Sequence, residues 1–203
     1  MTVALIDYGA GNLHSVHNAL RAAGAQHIAI TADPDVVARA DRIVLPGVGA
    51  FGACMAGLAA IDGMIAAMDR RARDEGRPFL GVCVGMQLLA DEGVEHGSTA
   101  GLGWIGGRVE AIRPPDPTIR VPHMGWNDVT TVGGGLVEPG EAYFLHGYHF
   151  VAADAAEVAA TTDHGGPLTA AVARDTIIGT QFHPEKSQAY GLAFLSRFLA
   201  WRP

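Results

Sequence analysis

The sequence predicts one α/β domain: a three-layer sandwich with a central, mostly parallel sheet to which antiparallel strands have been added. Three observations lead there. Short apolar runs alternate with helical segments through the first half, the pattern of parallel strands covered on both faces. From about Gly107 the rhythm changes to successive strand-like runs with turn signals between them. The composition, 49% hydrophobic and only 17% charged with 27 glycines, is that of a globular chain able to bury a core. No internal repeat or linker interrupts it, so residues 1–203 are expected to form a single domain.

The elements follow in order. "VALI" (Val3–Ile6) reads as a buried strand, and "GNLHSVHNALRAAG" as a helix stopped by Gly24. "HIAIT" (His27–Thr31) is a second strand and "DPDVVARA" a short helix. "RIVLP" (Arg42–Pro46) is a third strand, Ile61–Gly76 a helix, and "PFLGV" (Pro78–Val82) a fourth strand followed by helix from about Val84 to Ala90. In the second half "GRVEAI", "NDVTTV", "AYFLHGYHFVA", "AEVAATT", "LTAAVAR" and "IIGTQF" read as strands, with "GGG" and "RDT" among the turns. Gln188–Trp201 is a closing helix.

Charge and composition exclude several function classes. A formal charge of −7 with no offsetting basic cluster speaks against nucleic acid or an anionic membrane surface as a partner. The N-terminus lacks the basic lead of a signal peptide, and no apolar run reaches the ~18 residues of a membrane span. Cys54 and Cys83 have no paired spacing, as expected of free thiols in a cytoplasmic protein. His14/His17 and His146/His149 are isolated pairs with no acidic or cysteine companion, so no metal and no other cofactor is expected.

The chemistry gathers around "GVCVGMQ" (Gly81–Gln87). A strand ends at Val82 and a helix begins after Cys83, so the thiol sits on a strand-to-helix elbow that small neighbours such as Gly81 and Gly85 permit. A helix N-terminus there favours a thiolate. The elbow also lies beyond the carboxyl ends of the parallel strands, where open sheets bind ligands. By itself the motif equally fits a core cysteine in a glycine-rich turn. "QFHPEKS" supplies a base, His183, and an orienting carboxylate, Glu185, on either side of Pro184 in a segment expected to be extended. "PGVGAFG" follows the third strand and offers backbone N–H donors from Val48 or Gly49, with Val84 N–H as the other donor for an oxyanion. Glycine-rich loops also cradle phosphate; Gly47–Gly52 has the G-x-G-x-x-G spacing but no G-x-x-x-x-G-K-[ST] is present, and the oxyanion reading is preferred here.

These segments, together with "IDYGAGNLHSV", "LPGVGAFG", "VPHMGWN", "YFLHGYHF" and "QFHPEKSQAYGL", resemble the class I (triad-type) glutamine amidotransferases from end to end. Within them the likeness is to the glutaminase subunits of imidazole glycerol phosphate synthases. The resemblance implies a flavodoxin-like fold and a Cys83–His183–Glu185 triad that hydrolyses L-glutamine to glutamate and ammonia through a cysteine thioester. It implies that Gln87, Glu95 and backbone groups of Gly147 and Tyr148 hold the substrate's amino-acid end. It further implies a heterodimer with a (βα)₈-barrel cyclase subunit that receives ammonia through a tunnel and makes imidazole glycerol phosphate and AICAR in histidine biosynthesis. Asn12, Trp126, Tyr143 and Lys186 match positions facing that partner, and Lys186 is the chain's only lysine beside 13 arginines. The family usually carries serine or threonine at the Gly147 position, so a hydroxyl contact is expected to be missing. It also implies that the "PGVG" backbone keeps its donor turned away until the partner's ligand binds.

Three other readings stay open on the sequence. One is the glutaminase subunit of pyridoxal 5′-phosphate synthase, which "PHMGWN" and "DYGAGN" disfavour. A second is an α/β-hydrolase with a cysteine elbow, which would not place base and acid in one "HPE" unit. The third is a non-catalytic binding module, which an intact set of three reactive groups argues against.

Overall fold

A computed structural model of the chain describes residues 1–132 and 135–203. The apolar run Thr2–Ile6 forms β1, buried from Val3 onward. Asn12 then caps α1 (Leu13–Ala22), its side chain accepting from Ser15 N at 3.3 Å. The helix stops before Gly24, which takes φ +110°, a conformation glycine adopts without strain. β2 (His27–Thr31) follows, then α2 (Pro34–Val37), capped by Asp33 with Pro34 in its first turn, and β3 (Arg42–Gly47).

The next segment departs from the sequence reading. Phe51–Ala59, whose Gly and Ala content masks the helical period, is a helix, α3. The single helix expected over Ile61–Gly76 is α4 (Met64–Asp69), which widens into a π-type turn at Arg70–Asp74. β4 (Phe79–Cys83) runs straight into α5 (Val84–Gln87), shorter than the expected Val84–Ala90.

Two short strands unseen in the sequence, β5 (Glu92–Gly93) and β6 (Thr99–Ala100), precede β7 (Gly107–Ala111) and β8 (His123–Thr131). Of the expected "GGG" turn after β8, Gly133 and Gly134 lie outside the described residues. "AYFLHGYHFVA" is two strands in two different sheets, β9 (Gly140–His146) and β10 (Tyr148–Ala152), with Gly147 at the corner. β11 (Val158–Asp163), β12 (Pro167–Arg174), β13 (Ile177–Thr180) and α6 (Gln188–Ala200) complete the order.

The large sheet runs β2-β1-β3-β4-β13-β12-β11-β8-β9. Pairings from β2 to β13 are parallel, and those from β13 to β9 are antiparallel. The fold is thus α/β with a mixed sheet, its parallel half made of β1 to β4 and the late strand β13. β3 and β4 are buried along their whole length, as central strands covered on both faces must be. The helices cover them in two packed groups, α1 with α6 and α4 with α2 and α3. A second sheet, β10-β7-β5-β6, lies against β12 through β10. Among the described residues no single helix is long and apolar enough to cross a membrane.

Candidate active site

Three adjacent parallel strands, β3, β4 and β13, end side by side, and their register pairs Gly47 with Cys83 and Thr180 with Val82. Cys83 ends β4 at φ +55°, ψ −113°, a backbone conformation that costs a non-glycine residue of order 1–3 kcal/mol. Glycine is required around it. A Cβ on Gly81 would approach the Gly85 oxygen to 2.5 Å, and one on Gly85 would run into the Leu45 carbonyl oxygen. The elbow read from the sequence is therefore present, and tight packing against β3 holds it.

His183 lies three residues beyond β13, its N–H bonded to the Tyr143 carbonyl at 2.9 Å. Its Nδ1 is 2.8 Å from Glu185 Oε1, with side chains 3% and 2% exposed. The pair forms, but not along an extended segment: Pro184–Lys186 is a 3-10 turn that brings the carboxylate back under the ring. Proline's fixed φ and missing N–H suit the first position of a turn as well as an extended strand. Ser187 fastens the turn, donating to the His183 carbonyl at 2.7 Å and accepting from Tyr143 N at 3.0 Å. Burial alone would lower the His183 pKa. Hydrogen bonding and charge from Cys83 and Glu185 overcome it and raise the pKa to about 9.

Cys83, Val84 and His183 open into a cleft of about 320 Å³ that Val48, Gly49, Gln87, Glu95, Gly147, Tyr148 and Lys186 also line. Glu185 stands behind His183, away from the opening. The Val48–Gly49 loop is pinned from beneath. Tyr8 Oη donates to the Pro46 carbonyl at 2.7 Å, and Cys54 Sγ to the Val48 carbonyl at 3.4 Å. Glu95 Oε2 accepts from Phe51 N at 2.8 Å, tying the start of α3 to the cleft wall. The Gln87 amide spends both N–H bonds inside the protein, on the Tyr148 carbonyl and Gln181 Oε1 at 3.0 Å each. Its oxygen remains the group it can offer a ligand.

A larger, more open hollow of about 580 Å³ lies on the second sheet beside Asp91, Arg108 and Val151, but no cysteine or histidine lines it. Of the remaining candidates, Trp126 and Tyr143 are register partners whose rings meet edge-on at 6.2 Å. Lys186 Nζ sits 5.8 Å from the Tyr143 ring centre, so these three run continuously from the exposed face of β8 to the cleft. Asn12 caps α1, which packs against the Pro184–Lys186 turn.

Sequence reasoning missed Gln181, Ser187, His123 and His146. Gln181 is fully buried, and its Nε2 is 3.7 Å from Cys83 Sγ. Its place two residues before His183, just past the end of β13, was a usable signal. His146 pairs with His123, not with His149. Such a contact between residues 23 apart leaves no local pattern. Among the described residues no group of three or more His, Cys, Asp or Glu side chains is placed to hold a metal ion.

A buried imidazole between a thiol on an elbow and a carboxylate can move a proton on and off sulfur, which is the chemistry of acyl transfer. Comparison with known proteins agrees. Residues 4–200 match the family described as Glutamine amidotransferase class-I. The chain belongs to the class-I glutamine amidotransferases. Within that family it is 61% identical to the imidazole glycerol phosphate synthase subunit HisH of Zymomonas mobilis, covering 100% of this chain and 97% of that one. The subunits of the same name from Rhodospirillum rubrum and Caulobacter vibrioides are 55% and 52% identical, and this chain aligns over its whole length with 100% and 99% of theirs. Among solved structures, one described as a glutamine amidotransferase superposes with TM-score 0.76 at 18% identity, covering 98% of this chain and 97% of that chain. The structure of PurLQS from Thermotoga maritima gives TM-score 0.72 at 18% identity over 98% and 97%. At that identity the likeness speaks for a shared amidotransferase fold.

Proposed function

We propose that this chain is one glutamine amidotransferase domain, residues 1–203, serving as the glutaminase subunit of an imidazole glycerol phosphate synthase in histidine biosynthesis. The observation that carries the reading is the His183–Glu185 pair at 2.8 Å beside the Cys83 elbow, in a chain aligned over its full length with subunits of that enzyme.

In this reading His183 Nε2 takes the Cys83 thiol proton as the sulfur attacks the side-chain carbonyl carbon of L-glutamine. The carbonyl π bond opens onto oxygen, and the oxyanion is met by Val84 N–H and by Val48 or Gly49 N–H. As the tetrahedral adduct collapses, the C–N bond breaks and the leaving nitrogen takes the proton from His183 Nε2, departing as ammonia. Water then attacks the thioester with His183 as base, releasing glutamate and restoring the thiol. Glu185 fixes the ring through Nδ1, so that Nε2 faces the sulfur. Gln87, Glu95 and the Gly147–Tyr148 backbone hold the amino-acid end.

Ammonia passes to a barrel-shaped cyclase subunit docked on the face that carries Asn12, Trp126, Tyr143 and Lys186. Two free, buried cysteines fit a cytoplasmic setting. The decisive experiment is co-purification with the cyclase followed by a glutaminase assay with and without the cyclase's nucleotide ligand. A stable complex with ligand-stimulated, Cys83-dependent release of glutamate is expected. Glutamate production unchanged in Cys83→Ser would overturn the reading.

A further inference from the structure

From His146 in the wall of the cleft a buried line of polar groups that the proposed mechanism does not use runs inward. His146, 6% exposed at the end of β9, has its Nδ1 2.9 Å from the Tyr148 carbonyl. Its Nε2 is 2.9 Å from Nδ1 of His123, 3% exposed on the neighbouring strand β8. His123 Nε2 in turn is 3.0 Å from Asn127 Nδ2, which also donates to the Asp163 carbonyl at 2.7 Å. The His123 ring is stacked between Phe144 and His164, with centroids at 4.6 and 4.3 Å.

The proton positions in this line follow from its ends. A carbonyl oxygen only accepts, so His146 carries its proton on Nδ1. With the ring neutral, Nε2 is bare and accepts from His123 Nδ1–H. His123 Nε2 is then bare as well and accepts from the Asn127 amide. Every donor finds an acceptor in one direction only. Burial supports neutrality at both rings, lowering the His146 pKa to about 3 and the His123 pKa to about 4.

At its His146 end the line joins the cleft. The Tyr148 carbonyl that receives His146 Nδ1–H also receives Gln87 Nε2–H, Gln87 continues to Gln181, and Gln181 reaches Cys83 Sγ. The bond from His146 to Tyr148 spans Gly147, the corner where the chain leaves the large sheet for the small one. The Ile112 N–H, donating to the Gly147 carbonyl at 2.9 Å, holds the corner from the small sheet, and the His146 ring holds it from the large one.

We propose that His123 and His146 are positioning residues for the glutamine site, a hydrogen-bonded pair of fixed polarity that holds the Gly147–Tyr148 backbone and, through Gln87 and Gln181, the wall beside the nucleophile. This rests on the glutaminase reading. His146 lies in the cleft wall and His123 behind it. The pair acts on how well the amino-acid end is held, not on the chemistry at sulfur.

The test has two parts. In the full-length chain, long-range ¹H–¹⁵N spectra of the histidine rings are expected to show the Nδ1–H tautomer at both His123 and His146. An Nε2–H tautomer at either ring reverses the line and overturns the proposal. The second part measures saturable inactivation by 6-diazo-5-oxonorleucine at Cys83. His146→Leu is expected to raise the half-saturating concentration about tenfold, the effect of one lost buried hydrogen bond, with the limiting rate changed less than about threefold. His146→Asn, whose amide N–H replaces Nδ1–H, should recover most of the affinity. Equal half-saturation in a folded Leu variant, or no recovery with Asn, would overturn the proposal; should the Leu variant not fold, the tautomers and the Asn variant decide. Failure of the unaltered protein to be labelled at Cys83 would instead sink the glutaminase reading, and this role with it.

Discussion

Glu185 Oε1 and His183 Nδ1 face each other at 2.8 Å in a site where neither side chain is more than 3% exposed. A carboxylate so placed stabilises the imidazolium more than the neutral ring, and with the Cys83 thiol it outweighs the burial that would lower the pKa, which stands at about 9. The expectation is a histidine ring that titrates in NMR with a midpoint near 9. Glutamine hydrolysis should fall above that pH, because the leaving nitrogen needs the imidazolium proton. Glu185→Gln should move the midpoint downward. An unmoved midpoint would mean that the carboxylate is not what holds the proton.

The same shift has a stability consequence of definite sign. The folded pKa lies above the unfolded value of about 6.5, so the folded state binds this proton more tightly. The contribution is complete below pH 6.5 and is lost as pH rises to about 9. Chemical denaturation midpoints of the unaltered protein should decline across that window more steeply than those of Glu185→Gln. Parallel curves would contradict the assignment.

Cys83 stores backbone strain at φ +55° and lines the cleft from that elbow. Replacing it by glycine or by alanine removes the thiol equally, but only glycine relieves the backbone. Cys83→Gly is therefore expected to be more stable than Cys83→Ala by about 1 kcal/mol in urea denaturation, with both devoid of glutaminase activity. Equal stabilities would show that the elbow is not strained at this residue.

The parallel half of the fold and the three reactive groups were legible in the sequence because each leaves a local mark. Buried strands read as apolar runs, and an elbow needs glycines at fixed offsets, as Gly81 and Gly85 show. What escaped depends on contacts distant in sequence. α3 has no polar face to betray a helical period: its Phe51, Cys54 and Leu58 are buried while Met55, glycines and alanines fill the rest. The corner at Gly147 lies inside an unbroken strand-like run, and only pairing with β7 on one side and β8 on the other divides it. His123 and His146 are 23 residues apart at the far ends of two consecutive strands, so no short spacing joins them.

These two histidines predict an acid limit opposite in sign to that of His183. Their folded pKa values, about 4 for His123 and about 3 for His146, lie below the unfolded 6.5, so the unfolded chain takes up protons first. Their contribution is present above pH 6.5 and lost as pH falls toward 4 and then 3. His164, stacked on His123, and His149 add repulsion to a charged pair. Between pH 6.5 and 5, where most carboxylates are still ionised, the urea midpoint should already be falling, and His146→Asn should flatten that slope. A level profile in the unaltered protein would show that the rings do not stay neutral on folding.

Gly147 offers a gain of function. A Cβ there would find its nearest neighbours, Val121 Cγ1 and Pro122 Cβ, at 3.9 and 4.0 Å, ordinary contact distances. Its φ is not in the left-handed region, so a side chain brings no backbone strain. Gly147→Ser should thus change stability by no more than about 0.5 kcal/mol. Residue 147 lines the cleft, so the added hydroxyl would sit where the family's serine or threonine does. One hydrogen bond of about 0.5–1.5 kcal/mol corresponds to roughly two- to tenfold tighter glutamine binding, read as a lower KM at unchanged kcat. A raised KM in a fully stable Gly147→Ser protein would mean that the cleft has closed around the bare backbone and has no room for the hydroxyl.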